Sequence, residues 1–247
     1  DMDISPKTTV SFGIQGNVSE NTEPAEGGSA SIYRDIINAA PNAFPVILKD
    51  GRLAGRDGLN NPYNMLTQRG YVKNISNALR ANLTVDQNLD FITEGLTAKL
   101  TYAYDYSTDA ADTRSRSINF FEPTGRDENG DLLATEWYAS SYQDYLNYSH
   151  SSSSTRSQYA EATINYSRTF GKHDVGGLVM GFVKDNRYMI QGMDYITSLP
   201  KRSLGLAGRV TYGYDNRYLL EANVGFNGSE NFAKGNRMGI FPAIALG

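Results

Sequence analysis

Apolar and polar residues alternate along this chain with a period of two. Val10, Phe12, Ile14, Gly16 and Val18 share one parity, and Thr9, Ser11, Gly13, Gln15 and Asn17 share the other. An α-helix would scatter such a set around its circumference, whereas a β-strand puts each parity on its own face. The pattern returns in Leu79, Ala81, Leu83 and Val85 and runs on to Leu89 and Phe91. A return strand then carries Leu96, Ala98, Leu100, Tyr102, Tyr104 and Tyr106. A fourth strand has Ala160, Ala162, Ile164 and Tyr166, a sixth has Leu204, Leu206, Val210, Tyr212 and Tyr214, and a seventh has Tyr218, Leu220, Ala222, Val224 and Phe226. Between the fourth and sixth, residues 175–183 are apolar on both parities, so their facing stays open. An eighth strand opens near Phe241.

Composition narrows what these strands can be. Lys plus Arg total 23 against 27 Asp plus Glu, a net charge of −4, which argues against a nucleic-acid binder, since that would need a basic face. The chain has no Cys, so it has no disulfide framework, no Cys-ligated zinc and no thiol nucleophile. Its two histidines, His150 and His173, are too few for a His-based metal site, and no cofactor is expected. No apolar run reaches the ~18 residues of a transmembrane helix. Strands that alternate average to polar, so a transmembrane β-barrel stays open. The opening residues Asp1-Met2-Asp3-Ile4 do not read as a signal peptide, and the residues after Phe241 read as a strand just begun. The chain is therefore expected to be a fragment or a mature chain trimmed at both ends.

The connections between strands discriminate further. Residues 90–95, 170–174 and 215–217 read as tight turns, while residues 19–74, 107–156, 184–201 and 227–238 read as longer connections. Short and long connections alternate. A soluble β-sandwich has no reason to do this, but an outer-membrane barrel has short periplasmic turns and long extracellular loops. Beside each tight turn the apolar parity ends in aromatics: Phe91, Tyr166 with Phe170, Tyr212 with Tyr214, and Tyr218. Such rings gather at a membrane–water boundary. The competing architecture is a soluble extracellular β-sandwich that binds glycans, with the Leu/Tyr parity buried between two sheets.

Several residues invite a functional reading. Residues 30–39, with Ile32, Ile36 and Ala40 at helical spacing, suggest a short loop helix. Lys49-Asp50-Gly51-Arg52 and Glu128-Asn129-Gly130-Asp131 are hairpin turns that suggest ribbons projecting from the sheet. Residues 127–131 echo the first half of a calcium loop, but they lack Gly at the sixth position and Glu at the twelfth, so a turn accounts for them better. Residues 151–154 are low-complexity Ser and read as mobile, and their neighbour His150 lacks an orienting group for a hydrolase. His173 reads as a solvated turn residue. Trp137, Tyr138, Tyr142 and Tyr145 form an aromatic set on which sugars or peptide side chains could stack, with packing inside a loop ribbon as the plainer account. On the polar parity, Arg209, Asp215, Glu221 and Asn223 are expected to face a lumen, where they serve as wall polarity or as substrate contacts.

The C-terminal part carries a more specific pattern. Gly208-Arg209-Val210-Thr211-Tyr212-Gly213-Tyr214 leads through Tyr218-Leu219 to Asn227-Gly228-Ser229-Glu230-Asn231-Phe232. Asn236-Arg237-Met238-Gly239 and Phe241-Pro242-Ala243 follow. This order resembles the barrel of SusC/RagA-type TonB-dependent outer-membrane transporters, with weaker agreement at Asn61-Pro62-Tyr63 with Gly70-Tyr71, at Ile92 to Tyr104 and at Phe170 to His173. The segment at 227–230 departs from the family's usual Asp-Gly-Ser-Ser. The resemblance implies a plugged barrel of about 22 strands. It also implies a SusD-like surface lipoprotein as a lid, energy from the TonB complex through the plug, and oligosaccharide or peptide as substrate. Residues 1–247 would then supply about eight antiparallel strands of one transmembrane β-barrel, all-β with long extracellular loops, in the outer membrane of a Gram-negative, Bacteroidetes-type cell. No plug domain, TonB box or catalytic group is legible in them.

Overall fold

The structure is a computed structural model that describes residues 1–26, 28–56, 59–137, 142–190 and 192–247. Its strands are β1 (Met2–Ser5), β2 (Thr8–Pro24), β3 (Gly70–Asn88), β4 (Leu96–Ser115), β5 (Phe120–Arg126), β6 (Leu132–Trp137), β7 (Asn147–Phe170), β8 (His173–Ile190), β9 (Lys201–Tyr214), β10 (Tyr218–Ser229) and β11 (Met238–Leu246). Two helices, α1 (Gly28–Asn38) and α2 (Pro62–Thr67), lie between β2 and β3. Nine strands form one sheet in the order β1-β2-β3-β4-β7-β8-β9-β10-β11, and β5 and β6 form a separate ribbon. No described helix is long and apolar enough to cross a membrane.

The chain divides into two compact units. The first comprises residues 1–17, 77–108 and 153–247. Its register turns the one-dimensional alternation into rows across strands, because directly paired residues share a face. Ile164 pairs with Val179, Val179 with Gly208, Gly208 with Val224 and Val224 with Pro242. The same face carries Ala162–Gly181–Leu206–Phe226–Ile240 and Tyr166–Gly177–Val210–Ala222–Ile244. The facing of β8 is thereby fixed: Val175, Val179 and Val183 join the apolar rows, and Leu178, Met180 and Phe182 lie on the opposite face. Phe182 stacks on Tyr159 and covers Gly205, where any Cβ would meet its ring.

Among the described residues of this unit, nothing is layered on the apolar face. Leu100 (53%), Val210 (60%), Val224 (49%) and Ile244 (75%) stay exposed, and Leu83 and Tyr212 are exposed as well. The buried apolar side chains among the described residues are Ile32, Leu48, Ala54 and Met65, all in the second unit. A sandwich would bury its Leu/Tyr parity against another sheet, and the described residues of this unit form no second sheet.

Tight turns join β3 to β4, β7 to β8 and β9 to β10, as the sequence predicts. In the last of these, Asp215 and Asn216 adopt φ of 52° and 53°, and the Arg217 amide donates to the Tyr214 carbonyl at 2.9 Å. Two successive left-handed residues make the two-residue hairpin whose twist matches the strands. At the first turn Gly95 has φ 84°, and a Cβ there would overlap the Ser167 carbonyl oxygen, so only glycine fits. Asp90 closes the same turn. It accepts from the Asn88 side chain at 2.8 Å and from the Gly95 amide at 2.7 Å, and these bonds hold its carboxyl below the usual range. A carboxylate with a lowered native pKa stabilises the fold fully above its unfolded pKa of ~3.9 and loses that contribution as pH falls through the native value. Protection of the Gly95 amide against hydrogen exchange should therefore decline below about pH 4 in the wild type. In Asp90→Asn it should be lower at neutral pH and no longer follow this titration.

Three expectations need correction. Residues 151–154 are not a mobile linker but part of β7, where Ser153 pairs with Ile190 and Ser154 with Met189. The connections after β4 and β8 are shorter than the sequence suggests, because β4 runs to Ser115 and β8 to Ile190. At these ends neither face demands apolar side chains, so the alternation fades while the backbone ladder continues. Met2–Ser5 forms a short edge strand that its sequence does not announce; it pairs with β2 through Met2–Val10 and Asp3–Thr9.

The second unit comprises residues 18–76 and 109–152. It contains both helices, the anticipated one at Gly28–Asn38 included, and the β5–β6 ribbon. Asp127 and Asp131 close the ribbon turn by a backbone bond of 2.9 Å, which supports the hairpin over a calcium loop. Asn61 organises the small core. Its Oδ1 accepts from the amides of Tyr63 and Asn64 and caps α2, whose first residue is Pro62. Its Nδ2 donates to the carbonyls of Val46 (2.8 Å) and Ala54 (2.7 Å). One buried side chain thus ties a helix start to two separate loop strands.

Candidate functional site

The candidate site is the sheet itself, with its two unlike faces. Rows from Ala160–Val183–Leu204–Gly228 down to Phe170–His173–Tyr214–Tyr218 make one belt on β7 to β10. From Ala160 to Phe170 is about 33 Å of strand at ~3.3 Å per residue. Tilted by about 40°, it stands about 25 Å tall, the height of an outer-membrane apolar band. Arg168 is the one charged side chain in the belt rows of β7 to β10. It sits next to the turn end, where it reaches Glu94 at 2.9 Å and lies over the Phe170 ring. That reach toward the polar boundary is the snorkelling expected of a long basic side chain. His173 is exposed beside the turn, as its sequence suggests, and also meets the aromatic end of the belt: its Nδ1 is 2.7 Å from the Tyr212 hydroxyl and its ring is 5.0 Å from Tyr214.

On the opposite face Arg209, Asn223 and Glu221 come together. Arg209 Nε donates to Asn223 Oδ1 at 2.8 Å, Asn223 Nδ2 donates to Glu221 Oε1 at 2.7 Å, and Arg209 lies 3.4 Å from Glu221. Because pairing is direct between β9 and β10, alternate polar residues form a cross-strand ladder. Asp215 does not join it; it sits in the turn, ion-paired with Lys172 and Arg217. The ladder's side chains are largely exposed, so Arg209→Ala should change stability by less than about 1 kcal/mol in urea unfolding.

Among the described residues of the aromatic loop set, Trp137 packs inside the ribbon. Trp137 pairs with Phe120 across the ribbon and stacks on it, with 6.1 Å between ring centroids and 7° between planes. Tyr142 bridges to Ser117, and its hydroxyl donates to Asp144, whose carboxylate pushes the phenol pKa up. Tyr138 lies outside the described residues. Tyr145 is exposed. Near this ribbon Lys49 reaches Asp131 at 2.7 Å, a contact between two hairpin turns that are distant in sequence.

The C-terminal motif is architectural. Asn227 and Gly228 pair with Gly239 and Met238, and a Cβ on Gly228 would collide with the Met238 sulfur. The Ser229 amide donates to the Arg237 carbonyl and Arg237 Nε to the Phe232 carbonyl, both at 3.0 Å, closing the β10–β11 connection. Phe241 lies opposite Gly225. Pro242, which has no N–H, sits in β11, the last strand of the sheet. The spacing of the motif is therefore the spacing of a hairpin whose glycines receive large cross-strand neighbours.

No protein-family model matches the chain. A TonB-dependent receptor of Formosa agariphila is 24% identical over 284 aligned residues, covering 100% of the chain and 24% of the receptor. The TonB-dependent receptor SusC of Bacteroides thetaiotaomicron is 30% identical over 102 residues, 34% of the chain and 10% of that receptor. Among solved structures, the RagAB peptide transporter superposes with a TM-score of 0.65 over 99% of the chain at 15% identity. In sequence the chain resembles these TonB-dependent receptors, and in fold it resembles the RagAB barrel. The RagAB peptide importer in its closed-closed and open-open states gives 0.59 each, over 98% of the chain. The chain spans about a quarter of the length of the first curated relative and 28% of the RagAB chain.

Proposed function

We propose that the chain is a wall segment of a TonB-dependent transporter in the outer membrane of a Gram-negative, Bacteroidetes-type cell. The observation that carries this reading is the uncovered belt. A sheet with apolar rows about 25 Å tall on one face and a polar ladder on the other fits between hydrocarbon and a watery lumen. Its apolar face meets lipid, and further strands satisfy the backbone at its edges. Arg209, Glu221 and Asn223 line the lumen, and Trp137, Tyr138 and Tyr142 belong to the outer vestibule, where they contact substrate. Asn227, Gly228, Ser229, Phe232, Arg237, Phe241 and Pro242 shape the wall and take no part in chemistry. No bond is made or broken; the wall confines an oligosaccharide or peptide nutrient. The likeness to a peptide transporter supports the peptide class. A SusD-like surface lipoprotein closes the vestibule, and the TonB complex supplies energy through a plug.

Fractionation and uptake of the full-length protein test this. Recovery in the detergent-soluble outer membrane, co-purification of a surface lipoprotein, and TonB-dependent uptake of labelled oligopeptide or oligosaccharide are expected. Recovery as a detergent-free soluble monomer would overturn the reading in favour of the sandwich.

A further inference from the structure

The charge distribution just above the belt is unusual. On the apolar parity, the row after Ala160–Val183–Leu204 contains Gln158, Asp185 and Arg202, and the next places Arg156 directly opposite Arg187. Two like charges in direct cross-strand register repel each other. Asp185 serves two of these arginines: it meets Arg187 at 3.1 Å and Arg202 at 2.8 Å. Arg202 has a second, longer contact of 3.9 Å to Glu230. Arg156 Nε is buried without a hydrogen-bond partner. Three guanidiniums against two carboxylates leave a surplus of 3 − 2 = +1, with one donor unanswered.

Directly beneath lies a groove of about 420 Å³. Tyr102, Ala160, Val183, Leu204 and Met238 line its apolar part, and Asp185, Arg202, Glu230 and Arg237 its charged end. The apolar part continues the exposed belt, and the charged end stands on the side of the longer connections. Under the barrel reading, on which this inference rests, that is the extracellular side. A guanidinium cluster offers forked donors matched to phosphate oxygens. An open apolar groove below it is shaped for a hydrocarbon chain.

We propose that Arg156, Arg187 and Arg202, with the groove beneath them, bind a phosphorylated glycolipid of the outer leaflet. The arginines hold its phosphate and the groove takes one acyl chain. The site seals the wall to its lipid and fixes the height of the barrel at the extracellular boundary.

Native mass spectrometry of the full-length protein in detergent, with added monophosphoryl lipid A, tests the proposal. The wild type should retain the lipid at least tenfold more tightly than its dephosphorylated counterpart. Arg156→Gln with Arg187→Gln should abolish that preference, and Arg168→Gln, at the other end of the same strand, should keep it. Ala160→Trp, which fills the groove with an apolar ring, should weaken retention with the arginines intact; it also covers the case in which the double variant fails to fold. Equal retention of both lipids by folded wild type, or an unchanged preference in the double variant, would overturn the proposal and leave the transporter reading standing. Recovery of the protein as a soluble monomer would remove both.

Discussion

Val224→Arg should destabilise the folded barrel by about 2–4 kcal/mol, the cost of a guanidinium on the lipid face near the bilayer midplane. Val224 lies in the third of the six belt rows, between Gly208 on β9 and Pro242 on β11, so the substituted side chain has no polar boundary within easy reach. The neighbouring residue provides the comparison. Asn223→Arg changes a position already in the Arg209–Glu221 ladder, and its cost should stay within about 1 kcal/mol. Unfolding in urea of the full-length protein, folded into vesicles, reads both. A large gap between adjacent positions follows only if one face is in hydrocarbon and the other in water. In a soluble protein with an exposed sheet, both substitutions would be mild.

The second large effect concerns the loop unit. Asn61→Ala removes the α2 cap, leaves the buried Ala54 carbonyl without its side-chain donor, and leaves the Val46 carbonyl with only the 3.4 Å bond from the Ala54 amide. The cap is worth about 1 kcal/mol and the one stranded carbonyl about 1–3 kcal/mol, so the loss should reach about 2–4 kcal/mol. Since 1.4 kcal/mol is a factor of ten, hydrogen exchange at Met65 and Gln68, whose amides bond to Asn61 and Asn64, should accelerate by roughly 30- to 700-fold. Asn61→Asp is the discriminating control. It keeps a good capping oxygen but cannot donate to the two carbonyls, so it should fail to rescue. Exchange in β7 to β10 should not change in either variant, because no bond of Asn61 reaches them.

The sheet was legible because its physics is periodic. One face must be apolar and the other need not be, and that rule writes itself into every second residue from Leu204 to Tyr214 and from Tyr218 to Phe226. The facing of β8 was not legible, because Leu178, Met180 and Phe182 are apolar on the inner face. Phe182 stacks on Tyr159 and covers Gly205, contacts that only the register supplies. Strand ends were misjudged for a related reason. Beyond the belt both faces are polar, and Ser151 to Ser154 look like a linker even though their backbone is laddered. Asn61 escaped notice because its role depends on carbonyls at Val46 and Ala54, distant enough in sequence to leave no local pattern. Its flanking Pro62 was the available signal for a helix start. Trp137 was legible as an exposed aromatic but not as the partner of Phe120, since the ribbon register decides that contact. The arginine cluster is legible only once the register sets Arg156 against Arg187.

The central claim is that alternate residues of β9 and β10 touch hydrocarbon and water. The chain lacks Cys, so single cysteines can be introduced into it for nitroxide labelling at Leu206, Val210 and Val224, and at Ala207, Arg209 and Asn223. In full-length protein folded into bilayers, labels at the first three should collide preferentially with oxygen dissolved in lipid, and labels at the other three with a water-soluble nickel chelate. Equal access to the chelate at all six positions would contradict the account.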